Sequence, residues 1–246
     1  MMSMQLMTAS ISQKGGRDTN EDYCEFIVHK GYYCWVVADG LGGHTAGEVA
    51  SKTAVKGLIE AFKNDPSIMP EAISGYVEGA NRCLLAAIQD NPHYTGMMTT
   101  IVFAISDGEL ATWGHVGDSR LYVFREGRVL HQTKDHSFVQ AMVDRGEITP
   151  SEARVHKYRN WLLSALGGRE DYKFTIFKDK VIRLLSGDAL LLCTDGLWEH
   201  LTEVEMLSDL AKSKTPEQWL NYMVLRLKAR ALEGHDNYTA IAVICY

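Results

Sequence analysis

Two aspartates, Asp39 and Asp195, each stand directly behind a run of apolar strand formers, WVVA at 35–38 and LLLCT at 190–194, and directly ahead of a glycine. A carboxylate at the end of a buried strand is costly to strip of water unless something positive meets it, and a metal ion is the strongest such partner. An ordinary Asp-Gly turn would produce the same letters, and that is the reading for Asp107, where the strand pattern resumes at once beyond Gly108. Further acidic positions border similar segments: Glu21 and Asp22 in RDTNEDY, Asp118 in HVGDSRLY and Asp236 in GHDNYT. Singly, each reads equally well as a cap or turn residue. Together they offer carboxylates from distant parts of the chain at strand ends, which is how an all-oxygen site for a hard divalent cation is built.

Other chemistries lack their signatures. The five cysteines (Cys24, Cys34, Cys83, Cys193, Cys245) show no C-x-x-C spacing, sit mostly in apolar runs and read as buried free thiols. No cysteine has an arginine six positions on, no Asp-x-Asp offers an aspartyl nucleophile, and no Gly-Lys-Ser/Thr marks a phosphate loop. A net charge of −6 without a basic cluster argues against nucleic acid as a partner. Residues 1–8 have neither the cationic stretch nor the apolar run of a signal peptide, and no segment reaches the ~18 apolar residues of a membrane span. The expectation is a cytoplasmic protein without membrane contact.

The elements that must position these carboxylates follow from periodicity. Residues 32–38 (YYCWVVA) are a continuous apolar, β-branched and aromatic run, a buried strand that ends at Asp39-Gly40. Apolar or small residues at Ala46, Val49, Ala50, Thr53, Ala54, Gly57, Leu58 and Ala61, and again at Ile73, Tyr76, Val77, Ala80, Leu84, Ala87 and Ile88, outline two amphipathic helices. Residues 99–105, 110–116, 121–124 and 129–133 form a meander whose turns, Asp107-Gly108 and Glu126-Gly127, suit type I′ geometry. A short helix is expected at 138–145, and the polar stretch 146–160 has no period, so 138–160 reads as a surface flap. Strand character returns at 174–182, 189–193 and 238–246. Thr202 with Glu205, and Thr215 with Pro216 and Gln218, open two C-terminal helices. Helix pairs between groups of antiparallel strands predict an α+β fold, and the whole span 1–246 is expected to be one domain.

Eight stretches taken in order are similar to the PPM, or type 2C, metal-dependent protein phosphatases in their compact bacterial form: GGRDTNED (15–22), VVADGLGGHTAGEVAS (36–51), GHVGDSRLYVF (114–124), TKDHSFV (133–139), RGEIT (145–149), LLSALGG (162–168), LLCTDGLWE (191–199) and GHDNYTAIAV (234–243). The resemblance implies a four-layer α-β-β-α sandwich of two antiparallel sheets flanked by helix pairs. It also implies hydrolysis of phosphoserine and phosphothreonine in proteins by a hydroxide bridging two metal ions, Mn²⁺ or Mg²⁺. Asp39 would bridge both ions; Asp195 and Asp236 would complete the first site; the Gly40 carbonyl and Glu21 would serve the second, with Asp22 holding metal-bound water. Asp118 with Asp195 would hold a third, weaker ion. Arg17 would grip the phosphate, for which a planar and permanently charged fork is suited.

The pattern departs from eukaryotic relatives at Leu41, where they carry a histidine. His44, in the GLGGH loop, matches a histidine of bacterial members and is a candidate acid for the leaving serine or threonine oxygen, or else a loop-positioning or substrate-contacting residue. Tyr238 and Lys157 are lesser departures. Two alternatives remain open at this level: a metal phosphomonoesterase of small molecules, and a pseudophosphatase that binds phosphoproteins without turnover. The expected partners are phosphorylated proteins and a cognate serine/threonine kinase or its targets, with the chain itself a monomer.

Overall fold

The computed structural model describes residues 4–42, 45–167, 175–176 and 181–246. The chain begins with β1 (Leu6–Gln13), β2 (Asp22–His29) and β3 (Tyr32–Leu41), then the long helices α1 (Thr45–Asn64) and α2 (Pro70–Asp90). Next come β4 (Met98–Thr99), β5 (Ile101–Ser106), β6 (Leu110–Val116), β7 (Arg120–Arg125) and β8 (Arg128–Gln132), and the short helices α3 (Phe138–Asp144) and α4 (Pro150–Val155). The last part holds β9 (Thr175–Ile176), β10 (Ile182–Arg183), β11 (Ala189–Cys193), α5 (Asp195–Trp198), α6 (Glu203–Lys212), α7 (Pro216–Arg230) and β12 (Tyr238–Cys245).

Among the described residues these strands form two antiparallel sheets, one in the order β1-β12-β11-β7-β8 and one in the order β10-β6-β5-β3-β2, with β4 added to β3 and β9 to β6. Side chains on a strand alternate between faces, so a strand buried on both sides reads as an unbroken apolar run. In β3, Cys34, Val36 and Ala38 pack under α1 and α2. The intervening Trp35 and Val37 enter the layer between the sheets, where they join Val102, Trp113, Leu121, Leu190 and Ile241. In β12, Ala240, Ala242 and Ile244 lie in the core that includes Trp219, Met223 and Leu227 of α7, while Ile241 and Val243 face the other sheet. The result is the expected four-layer α-β-β-α sandwich. Among the described residues no helix is long and apolar enough to cross a membrane.

Several local expectations are corrected. The strand expected at 32–38 continues through Asp39 and Gly40 to Leu41, because β4 pairs with Gly40 and Leu41 and prolongs the ladder. The stretch 146–160 contains α4, whose Thr149 and Glu152 form a complete capping box behind Pro150. Glu126 and Gly127 both have positive φ, as a type I′ turn requires, whereas at the other hairpin only Gly108 does and the Asp107 carboxylate caps the Glu109 and Leu110 N–H groups. β1 was not foreseen, and of the strand expected at 174–182 the described residues include only β9 and the start of β10. Cys34, Cys193 and Cys245 are buried, but Cys83 is exposed on α2.

Candidate metal and phosphate site

The acidic residues gather at one end of the sandwich because antiparallel pairing brings the starts of β2 and β12 beside the ends of β3 and β11. Asp22 opens β2 and is paired in register with Asp39 of β3. Asp118 sits in the tight turn between β6 and β7, Asp195 starts the short helix after β11, and Asp236 immediately precedes β12. A cleft of about 730 Å³ is lined by Arg17, Glu21, Asp39, Gly40, Asp118, Asp195 and Asp236, together with Asp18, Thr19, Leu41, Gly42, Asn160, Leu162 and Asn237. Asp22 lies behind this wall, 4% exposed, with Oδ2 accepting from Thr194 Oγ1 at 2.9 Å. His44 lies outside the described residues.

Backbone geometry is held tightly around the carboxylates. Asp39 donates its N–H to Thr100 Oγ1 at 3.0 Å, and its carbonyl accepts from Thr99 Oγ1 at 2.8 Å and from the Thr100 N–H at 2.9 Å. A Cβ on Gly40 would meet the Gly47 carbonyl oxygen at 2.0 Å, and one on Gly47 would meet Glu21 Oε2 at 2.1 Å. Only glycine lets the start of α1 approach both the strand and the Glu21 carboxylate. Asn237 receives the Glu21 N–H on Oδ1 at 2.8 Å and donates from Nδ2 to the carbonyls of Lys14 and Thr19, which ties the loop carrying Arg17 and Glu21 to the start of β12. Neither Asn237 nor Thr194 was singled out from sequence, although each adjoins an aspartate within the same motif.

The electrostatics are those of a cluster lacking its counter-charge. Burial is the largest cause that pushes the Asp22 carboxyl up to about 8, and the neighbouring Asp195 and Asp236 add to it. Burial, then Glu199 and Asp236, pushes Asp195 up to about 7. Asp39 and Asp118 are also driven well above the ordinary carboxylate range, first by burial and then by the surrounding aspartates. Asp22 Oδ1 and Asp195 Oδ1 are buried with no hydrogen-bond partner. A positive side chain that meets the set is Arg17, whose Nη2 lies 2.9 Å from Asp236 Oδ2 in a largely exposed pair. Among the described residues no three carboxylate, imidazole or thiol side chains stand at metal-holding distance from a common point. The arrangement is an open acidic cleft whose donors are all hard oxygens, which suits Mn²⁺ or Mg²⁺ and suits zinc poorly.

A model of the family described as protein phosphatase 2C matches residues 12–232. The chain belongs to the protein phosphatase 2C family. It is 32% identical over 242 residues to the serine/threonine protein phosphatase PstP of Mycobacterium tuberculosis, an alignment that covers 98% of this chain and 45% of PstP, so the chain spans about half the length of that relative. Among solved structures, the serine/threonine phosphatase Stp1 from Staphylococcus aureus superposes with a TM-score of 0.86 at 33% identity, covering 98% of this chain and 95% of that one. A structure of the PstP catalytic domain in complex with two manganese ions has a TM-score of 0.81 at 30% identity, covering 98% and 99% of the two chains. Each of these relatives is named as a phosphatase.

Proposed function

We propose that this chain is a single phosphatase domain, with residues 138–160 as its flap, which removes phosphate from phosphoserine and phosphothreonine of proteins in a reaction that depends on Mn²⁺ or Mg²⁺. The observation that carries the reading is the meeting of Asp39, Asp118, Asp195, Asp236 and Glu21 in one cleft that also presents Arg17, with unpartnered carboxylate oxygens in and behind its wall. Uncompensated buried carboxylates are tolerable when a cation is their normal partner. In this reading Asp39, Asp195, Asp236, Glu21 and the Gly40 carbonyl would hold two ions, with Asp39 common to both. Asp22, held by Thr194, would orient water from behind, and Asp118 with Asp195 would take a weaker third ion. When bound, these ions acidify water and neutralise the phosphoryl oxygens.

The rest of the work belongs to the chain. Arg17 is exposed enough to leave Asp236 and fork onto two phosphate oxygens. Asn160 and Leu162 of the flap side line the same cleft and face the peptide that carries the phosphate. His44 donates a proton to the departing oxygen. The expected substrates are the targets of a serine/threonine kinase, and the open cleft suits an extended protein segment better than an enclosed small molecule.

One set of assays tests this. Phosphopeptide turnover is expected to require added Mn²⁺ or Mg²⁺ and to exceed turnover of nucleotides; full activity of metal-stripped protein in excess chelator would sink the reading. In the same assay His44→Ala should slow a phosphoserine peptide at least about tenfold more than p-nitrophenyl phosphate, whose phenolate leaves unaided. Equal losses on both substrates would remove His44 from the role of acid.

A further inference from the structure

We propose that Trp198 is a positioning residue that locks Asp118 at its working distance from Asp195 and links both to the flap. The inference rests on the metal assignment above and concerns a side chain that touches neither substrate nor ion. Trp198 is the last residue of α5, the short helix whose first residue is Asp195. Its indole is 4% exposed, and Nε1–H donates to the backbone carbonyl of Asp118 at 3.0 Å. The ring is fixed from one face by Arg120, two residues beyond Asp118, whose guanidinium carbon lies 3.5 Å from the ring centroid. Arg120 is itself held by Asp135 through two bonds of 2.8 and 2.7 Å and by Tyr122 Oη at 3.1 Å.

The indole is therefore a rigid strut. One end is continuous with the Asp195 helix; the other is bonded to the turn that carries Asp118. That turn contains Gly117 with φ +101°, where a Cβ would press into Thr100 at 2.6 Å, so its path is tightly specified. Asp195 is restrained by packing as well: a Cβ at the adjacent Gly196 would strike the Asn237 carbonyl at 1.9 Å, so α5 is packed directly on the start of β12. The residues on either side of Asp118 are held by His136, whose N–H donates to the Gly117 carbonyl at 2.8 Å and whose Nδ1 accepts the Gly117 N–H at 3.2 Å, and by the Thr100–Ser119 hydroxyl pair at 2.7 Å. The indole bond is made to the Asp118 carbonyl itself, so its removal loosens Asp118 more than Asp195. The flap enters through Arg154 of α4, whose Nη1 donates to the Trp198 carbonyl at 2.7 Å and to the Leu201 carbonyl at 3.1 Å. A cavity of about 390 Å³ bounded by Arg120, Asp135, Val139, Arg154 and Trp198 lies between the flap and the sheet at this point, and polar contacts cross beside it: Arg154 also pairs with Glu203, and Arg159 with Glu199 at 2.9 Å.

The test is a Mn²⁺ titration of the metal-stripped full chain, followed by the electron paramagnetic resonance of the free ion, which counts bound ions without use of activity. In Trp198→Phe, which keeps a ring against Arg120 and loses the N–H, the weakest ion is expected to bind about tenfold or more less tightly, the usual scale for loss of a bond behind a metal ligand. The tighter ions and the metal-free Tm should stay near wild type. An unchanged weakest ion would overturn the proposal, and so would parallel weakening of all ions with a fall in Tm, which would make Trp198 merely structural. Arg154→Met, which strips the donors from the Trp198 and Leu201 carbonyls, breaks the pair with Glu203 and removes the cation 5.8 Å from the indole centroid while keeping the indole N–H, is expected to weaken the same ion by a smaller factor; it keeps the proposal testable if Trp198→Phe fails to fold, and no change in it would remove the flap from the linkage. Failure of the wild type to bind Mn²⁺ at all would instead overturn the metal assignment itself, a distinct result.

Discussion

Asp118 and Arg120 are two residues apart, yet they belong to buried charge clusters of opposite design. Arg120 is 8% exposed and Asp135 9%, and the pair satisfies itself with a bidentate contact, the Tyr122 hydroxyl and the Trp198 ring. In the cleft, five aspartates and Glu21 gather, Arg17 meets them only from the exposed rim, and two buried oxygens have no donor. The same fold thus supplies its own cation where a turn is braced and leaves the cleft carboxylates uncompensated, which is what the proposed metal site calls for. Burying a carboxylate without a partner costs stability, and that cost is what creates affinity for the ion.

The sharpest way to break this contrast is to neutralise one member of the unpaired set. Asp39→Asn should lower kcat on a phosphopeptide by at least about 10²-fold, the scale on which one aimed charge matters in a transition state. The same substitution should raise the Tm of the metal-free protein, because it removes a charge from a crowded cluster, as functional sites commonly trade stability for activity. A fall in metal-free Tm would mean that Asp39 is structurally satisfied and the comparison is wrong.

Next in size is the opposite response expected of the paired cluster. Arg120→Met leaves Asp135 buried and alone, and should destabilise by about 3–5 kcal/mol, measured as a shift in the urea midpoint. Arg120→Met combined with Asp135→Leu should recover much of that loss, since an apolar replacement of a buried pair is often near neutral. A double variant no better than the single one would show that the pair does more than neutralise itself.

The smallest effect is in pH dependence. Without metal, Asp22 and Asp195 titrate near 8 and 7 in the fold instead of at the ordinary 3.8. A carboxyl with a raised folded pKa holds its proton where the unfolded chain has lost it, so its stabilising contribution is complete below about 3.8 and disappears as pH rises through about 7 to 8. The metal-free Tm should fall by several degrees across that window, and Mn²⁺ should flatten the slope because the ion replaces the proton. A metal-free Tm that rises between those limits would contradict the raised values.

Much of this was legible from the sequence because its signals are local. The continuous runs at β3, β11 and β12 report burial on both faces, and the boxes at Thr202 and Thr215 mark helix starts through groups three residues apart; in the structure Gln218 turns its side chain to the Lys214 N–H instead of closing the box. The aspartates stood out because a charge beside such a run is locally incongruous. The same capping signature stands at Thr149 and Glu152, but the apolar period that normally follows it cannot develop in a helix of six residues with no buried side chain. β1 gave no warning, for an edge strand with polar and apolar residues mixed needs β12 beside it to be a strand at all.

What the sequence by itself determined was the set of carboxylates, the layers and the identity of the family. What only the tertiary structure decided was which distant groups serve them: Thr194 on Asp22, Asn237 on the loop of Arg17, Thr99 and Thr100 on Asp39, and Trp198 on Asp118. Those pairings span 60 to 223 residues of chain. No periodicity reports them, because they depend on strand register and on how one sheet lies over the other, and a slip of one residue in either would turn the same side chain to the opposite face.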